Sequence, residues 1–321
     1  MQKKSTASVL TLGTFDGVHR GHQRILCRLV SRARRTGARS VVLAFGLPPR
    51  HAGLPAARPF LLTTLREKTQ ILKRMGADCV RALVFNRETA STSPADFFNE
   101  TLVKKCGAKE IIVGPRAAFG RNRAGKLSFL KAIGRRSGVR VGVVPSVRVK
   151  GEIVASRRIR VMLDKGRVEK ASALLGYPYS AAGCVVHGRH AGRLLGFPTA
   201  NIRPDAFKIL PHGVFWVKVL WKSDRVPLTA KDLRFAWDGI CNVGTRPTIN
   251  PHESHDHCEV FLFRKPGSLY GRRLRVVFLR RIRAEKRFSS LESLKRGISR
   301  DFALARRWAA KQVYIRRDNS I

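Results

Sequence analysis

The sequence predicts two domains: an α/β domain on a parallel sheet, then an antiparallel β-barrel with a terminal helix. Three observations lead there. In the first half, continuous apolar runs alternate with amphipathic segments, which is how strands covered by helices on both faces read. From Gly183 onward, short apolar runs separated by Gly/Pro turns follow one another without helices, the spacing of an antiparallel barrel. The last stretch returns to helical periodicity. At 321 residues the chain is comfortable as two domains. The joint is placed near residues 176–183, giving domains 1–180 and 181–321.

The elements follow in order. "SVLTLGTF" (8–15) reads as a strand. A helix runs from His22 to Arg35, with Ile25, Leu26, Leu29, Val30 and Ala33 on one face. "RSVVLAF" (39–45) is a strand, "LREKTQILKRMG" (65–76) a helix ending in glycine, and "CVRALVF" (79–85) a strand. "SPADFFNETLVKKCG" (93–107) is a helix with Ser93 as N-cap and Pro94 in its first turn. "KEIIVG" (109–114) and "VRVGVVPSV" (139–147) are further strands, and 156–176 holds two short helices. The barrel strands are "GCVVHG", "GVFWVKVLW", "GICNVG", "CEVFLF" and "RRLRVVFLRRIR". The terminal helix spans 289–313, with Leu291, Leu294, Ile298, Phe302 and Ala305 at helical spacing.

Composition narrows the class. The hydrophobic fraction is 44%, that of an ordinary globular protein. No apolar run approaches the ~18 residues that cross a bilayer, and the opening "MQKKSTASVL" passes directly into a strand pattern, so neither a membrane span nor a signal peptide is expected. Six scattered cysteines without a CxxC pair point to reduced thiols and a cytoplasmic protein. The net charge of +43, with 44 arginines, makes nucleic acid an obvious partner to consider. No zinc-finger spacing or RNA-binding aromatic signature accompanies it, and the same field attracts ATP and other phosphates. A basic nucleic-acid-associated protein is therefore kept only as the alternative of another class.

The stretch "GTFDGVHRGH" (13–22) places a sharp turn between a strand and a helix start, which forms a phosphate site. Gly13, Gly17 and Gly21 let backbone approach phosphate closely. His19 and His22, on one face of the first helical turn, can donate to phosphate oxygens whose charge grows in a transition state. HxGH after a strand resembles the nucleotidyltransferase superfamily. The longer "LGTFDGVHRGHQ" resembles the N-terminal domain of prokaryotic bifunctional riboflavin kinase/FMN adenylyltransferases, the FAD synthetases. The resemblance implies a nucleotidyltransferase-like, Rossmann-like sheet and the reaction of FMN with ATP to give FAD and pyrophosphate. It implies that His19 and His22 hold the ATP phosphates as catalytic residues, that Gly13, Phe15 and Asp16 shape the pocket, and that Arg160 serves the ATP site.

Three segments depart from the family pattern. "AFGLPPR" (44–50) lacks its histidine, "GPRAAFG" (114–120) carries Arg116 in place of an acid, and "VASRRIR" (154–160) has Arg157 in place of a threonine. Loss of a positioning group typically costs ~10²-fold in rate. The first activity is accordingly the weaker expectation, and the alternative is a monofunctional riboflavin kinase with a degenerate adenylyltransferase domain.

The second half carries "GCVVHGRHAGRLLGFPTANI" (183–202), punctuated by Gly183, Gly188, Gly192 and Gly196 as a phosphate-packing loop needs. Thr199 and Asn201, two residues apart on an extended chain, point the same way, and both offer hard oxygens suited to Mg²⁺. This stretch resembles the riboflavin kinase signature, and "LPHGVFWVKV" (210–219), "GICNVGTRPT" (239–248) and "CEVFLF" (258–263) continue the match. The resemblance implies that Thr199 and Asn201 hold Mg²⁺–ATP, that Gly188, Gly192 and Gly196 bind the nucleotide, and that Glu259 is the base for the ribityl 5′-OH. Phosphoryl transfer needs mainly positioning and charge neutralisation, and a carboxylate within hydrogen-bond reach is an adequate base. "HESHDHC" (252–258) looks like a metal site, but adjacent ligands close a tetrahedron poorly, so a solvated loop is the reading taken. The small-molecule partners implied are riboflavin, FMN, FAD and ATP.

Overall fold

The computed structural model of the protein describes residues 7–46, 60–84, 86–188, 196–205, 207–221, 226–245, 256–264, 267–286 and 288–318. The chain divides into two compact units, Met1–Ala56 with Leu61–Ser156, and Ala57–Phe60 with Arg157–Ile321.

The first unit alternates as its hydrophobic runs require. β1 (Ser8–Gly13) leads into α1 (Arg20–Arg35), and β2 (Arg39–Phe45) precedes α2 (Leu65–Arg74). After β3 (Cys79–Leu83) come the short helices α3 (Arg87–Ser91) and α4 (Pro94–Asp96), the latter running on as a π-helix through Phe97–Lys105. β4 (Ala108–Val113) follows, then an antiparallel ribbon of β5 (Ala118–Phe119) and β6 (Gly125–Lys126), α5 (Leu127–Arg136) and β7 (Arg140–Val143). A second ribbon pairs β8 (Arg148–Val149) with β9 (Glu152–Ile153). The sheet order is β3-β2-β1-β4-β7, all pairs parallel. Sheet residues Leu10, Leu12, Val41, Leu43, Ile111 and Val113 form one core with Phe97, Phe98, Leu102 and Leu130. On the other face, α1 buries Leu26, Leu29, Val30 and Ala33, as its periodicity predicts. Arg32 of α1 ties that face to Glu110 of β4 at 2.6 Å.

The second unit opens with α6 (Ser156–Asp164), whose first residue belongs to the first unit, and α7 (Val168–Leu175). Six strands then close a barrel: β10 (Ser180–Val186), β11 (Thr199–Pro204), β12 (Gly213–Trp221), β13 (Trp237–Thr245), β14 (Asp256–Leu262) and β15 (Arg273–Arg283). The closed order is β10-β11-β14-β13-β12-β15. The change of pattern at 176–183 lies inside this unit, because α7 buries Val168, Ala171, Leu174 and Leu175 and packs on β15.

Between β12 and β13 stands a short helix, α8 (Ala230–Arg234), held by a Thr229–Asp232 capping box that the sequence reading did not isolate. Side chains alternate across the barrel wall. Phe215 and Phe278 meet edge to face inside at 5.5 Å. Val214, Trp216 and Ile240 face outward onto Ala305, Phe302 and Trp308 of the terminal helix α9 (Leu291–Asp318).

Candidate active sites

The first candidate site is a cavity of about 670 Å³ at the β1–α1 turn. Gly13, Phe15, His19 and His22 line it, with Gly21, Arg116, Arg123 and Ser156. The turn is tight: Phe15 (φ 45), Gly17 (φ 79) and Val18 (φ 31) all have positive φ. For a β-branched valine this is a strained conformation, of the kind that clusters at functional sites.

Asp16 fixes the turn. Its buried carboxylate accepts from the backbone N–H groups of Leu62 at 3.0 Å and Thr63 at 3.1 Å, while the Gly17 N–H donates to the Thr63 hydroxyl at 2.9 Å. Asp16 thus shapes the pocket from behind and is not part of its wall. Arg160 lies in the second unit, where its Nε donates to the Phe60 carbonyl at 2.7 Å, and it is not among the cavity residues.

His19 is the N-cap of α1, which begins at Arg20, two residues before the His22 start that the periodicity predicts. Its Nδ1 accepts from the His22 backbone N–H at 3.4 Å, and the two rings stack 3.7 Å apart at 12°. An accepting Nδ1 leaves the proton on Nε2. Burial drives the His19 pKa down to about 4, with Arg116 adding to the fall and Asp16 opposing it. Burial, then His19, then Lys68 hold His22 well below the usual range. Both imidazoles are therefore neutral N–H donors at neutral pH, which suits phosphate oxygens.

Lys68 is a group that sequence reasoning missed. Its side chain is fully buried, its Nζ donates to the Phe45 carbonyl at 2.7 Å, and burial brings its pKa to about 8. A lysine at the core face of α2 reads as an ordinary surface residue in the sequence. The only available signal was its place among the apolar positions of that helix.

The second candidate site is set by strand register. In the barrel, Asn201 of β11 pairs with Glu259 of β14, which pairs in turn with Asn242 of β13. The three side chains stand in a row on the outer face, and Thr199, two residues before Asn201, shares it. Thr199 lies opposite Phe261. Phe261 is clamped edge to face between Phe197, just before β11, at 5.2 Å and Phe302 of α9 at 5.7 Å, so the terminal helix supports the entry to β11. Gly188 packs against the Asn201 carboxamide so closely that a Cβ there would overlap it. Gly196 takes φ +83 at the loop's far end. Gly192 lies outside the described residues.

Thr199, Asn201 and Glu259 thus share one face of adjacent strands, with Asn242 as a neighbour that the motif did not single out. Their donor set is oxygen-rich and carries one carboxylate, which fits Mg²⁺. Most of the His252–Cys258 stretch lies outside the described residues. Among the described residues, no group of three His, Cys, Asp or Glu side chains could hold a metal ion.

Together the two units define a class: an α/β nucleotidyltransferase-type domain joined to a kinase-type barrel. The FAD synthetase family model matches residues 1–158, and the riboflavin kinase family model matches residues 175–309. The bifunctional riboflavin kinase/FMN adenylyltransferase of Pseudomonas fluorescens is 38% identical over 306 residues, covering 95% of this chain and 94% of the relative. That of Escherichia coli (strain K12) is 35% identical over the same shares. The crystal structure of a Streptococcus pneumoniae protein described as a macrolide-efflux protein superposes with a TM-score of 0.81 at 29% identity, covering 95% of each chain. The chain belongs to the bifunctional riboflavin kinase/FMN adenylyltransferase family. Among the described residues, no helix is long and apolar enough to cross a membrane.

Proposed function

We propose that the protein phosphorylates riboflavin to FMN in its barrel unit and adenylylates FMN to FAD in its α/β unit, using ATP for both, in the cytoplasm. The observation that carries the reading is the Thr199, Asn201 and Glu259 face, set in register by β11 and β14. At that face, Glu259 takes the proton from the ribityl 5′-OH as its oxygen attacks the γ-phosphorus of ATP, and ADP leaves. Thr199 and Asn201 would hold Mg²⁺, which supplies neutralising charge when bound. Gly188 keeps the backbone close enough for Asn201 to stand there.

In the first unit, neutral His19 and His22 donate to phosphate oxygens at the N-terminus of α1, which has no acidic residue in its first turn to offset its positive end. An FMN phosphate oxygen attacks the α-phosphorus of ATP, and pyrophosphate departs. The apolar side of the cavity, with Phe45, Phe97 and Phe119, suits a flavin ring. Six free cysteines support a reducing compartment.

The test is direct. Purified protein is incubated with riboflavin, excess ATP and Mg²⁺, and the flavins are separated by chromatography over time. FMN followed by FAD is the expected result. FMN that accumulates without FAD would leave only the kinase half of the reading, and no FMN would overturn it.

A further inference from the structure

The cavity of the first unit has an unbalanced charge. Its wall carries Arg116, Arg123, His19 and His22 and, among the described residues, no aspartate or glutamate. Asp16, the nearest carboxylate in the motif, is consumed by the backbone of Leu62 and Thr63. Both guanidinium groups belong to exposed residues, and neither has a carboxylate within ion-pair distance among the described residues. Unpaired arginines facing a cavity favour an anionic ligand with several oxygens, because the planar fork matches phosphate.

The two arginines come from the segment that leads into, and turns within, one short ribbon. Arg116 lies in the turn two residues before β5, and Arg123 stands at the tip between β5 and β6. At that tip Gly120, Asn122 and Arg123 all adopt left-handed φ, of 69°, 54° and 58°. Gly120 packs on Pro94, where a Cβ would come within 2.8 Å of the proline backbone, and the Arg121 N–H donates to the Thr92 carbonyl at 2.8 Å. Two successive non-glycine residues held left-handed mean that the surroundings fix this turn against its local preference.

We propose that Arg116, with Arg123 on the same cavity wall, grips the pyrophosphate that leaves from ATP in the first unit. The inference rests on the adenylyl-transfer reading. As the new bond forms between the FMN phosphate oxygen and the α-phosphorus, the bond from the α-phosphorus to the bridging oxygen breaks. That oxygen keeps the electron pair, and no proton is required. The charge that builds on the departing pyrophosphate is met by guanidinium groups that line the same cavity as the paired imidazoles. Arg116 is in this scheme a binding residue for the leaving group.

The reverse reaction, FAD plus pyrophosphate to FMN plus ATP, isolates the site from the kinase unit. Arg116→Ala is expected to raise the KM for pyrophosphate about tenfold, the low end for a charge-assisted contact because the residue is exposed. Arg116→Lys recovers part of the loss, Arg116→Ala with Arg123→Ala loses more, and riboflavin phosphorylation stays unchanged. An unchanged KM for pyrophosphate in Arg116→Ala, with the reverse reaction intact, overturns the proposal and leaves adenylyl transfer standing. If the parent shows neither the reverse reaction nor FAD formation from supplied FMN, adenylyl transfer fails, and calorimetric titration of the full chain with inorganic pyrophosphate decides. Binding about tenfold weaker in Arg116→Ala supports the grip, and equal binding overturns it.

Discussion

Replacing Gly188 with alanine would test the kinase site through its backbone. The added Cβ would come 2.5 Å from Cγ and 2.8 Å from Oδ1 of Asn201, and closer still to its Nδ2. Non-bonded carbons rest at about 3.5–4.0 Å, so the carboxamide must move by roughly 1 Å or rotate to another staggered well. Either motion takes it out of line with Glu259, its register partner. Misplacement on that scale costs about 10²-fold in rate. The fold should suffer less, because Asn201 is only partly buried and can swing outward. A loss of about 1 kcal/mol is expected, or roughly 2–4 °C in Tm.

The assay is the initial rate of FMN formation from riboflavin, with FAD formation from supplied FMN as the internal control and a thermal melt for stability. Gly188→Ala combined with Asn201→Ala should be no worse than Asn201→Ala alone, because the two act through one contact. FMN formation within threefold of the parent, at unchanged KM, would refute the placement of Asn201 in the site.

Other outcomes follow from the same geometry. Glu259→Gln should reduce FMN formation by orders of magnitude while ATP binding, read by calorimetry, stays largely intact; normal turnover would put the base elsewhere. His22→Ala should abolish FAD formation from supplied FMN and leave FMN formation alone, and a parallel fall of both would mean that the units are coupled. Asp16→Ala leaves the Leu62 and Thr63 N–H groups without their buried acceptor, which should cost about 2–4 kcal/mol in a denaturant titration; a loss under 1 kcal/mol would show that the turn is held otherwise. His19, depressed from 6.5 to about 4 in the fold, contributes stability that is complete above pH 6.5 and is lost as pH falls through 4. That contribution is about 3 kcal/mol at most. His19→Asn should flatten the parent's slope between pH 7.5 and 4.5, and an unaltered slope would count against a buried neutral imidazole.

Much of this was legible before any coordinates. Continuous apolar strands separated by amphipathic helices gave the parallel order, and β12 runs from Gly213 to Trp221 as its sequence reads. Ser93 caps α4 as its motif suggests. What sequence could not provide was direction. Asp16 sits in the phosphate motif, yet its carboxylate serves the backbone of residues 62 and 63, a contact made across 46 positions. Lys68 looks like a surface lysine and is fully buried. The β5–β6 ribbon is two residues wide on each side, too short for alternation to register. The helix starts at Arg20, within the His19–His22 window of the motif, and its cap is a side chain bonding its own turn, which periodicity does not show.

The barrel face proposed as the kinase site is more readable because its residues share a single constraint. Period-two alternation sends Cys241, Val243, Cys258 and Val260 into the barrel and leaves Asn201, Asn242 and Glu259 on its outer face. The interior assignment has its own mark: Cys241 and Cys258 sulfurs lie 3.5 Å apart, buried, and burial pushes the Cys241 thiol well above its ordinary range. A slip of one residue in β14 would exchange the two sets, burying the Glu259 carboxylate and exposing Cys258 and Val260. An unpaired carboxylate inside the barrel is costly enough that such a register cannot compete. The hydrophobic pattern that folds the barrel therefore also places Glu259 beside Asn201. The first site has no such coupling. Its side chains come from a turn, a ribbon and a helix end, each placed by separate long-range contacts, and there a residue's identity says little about what it faces.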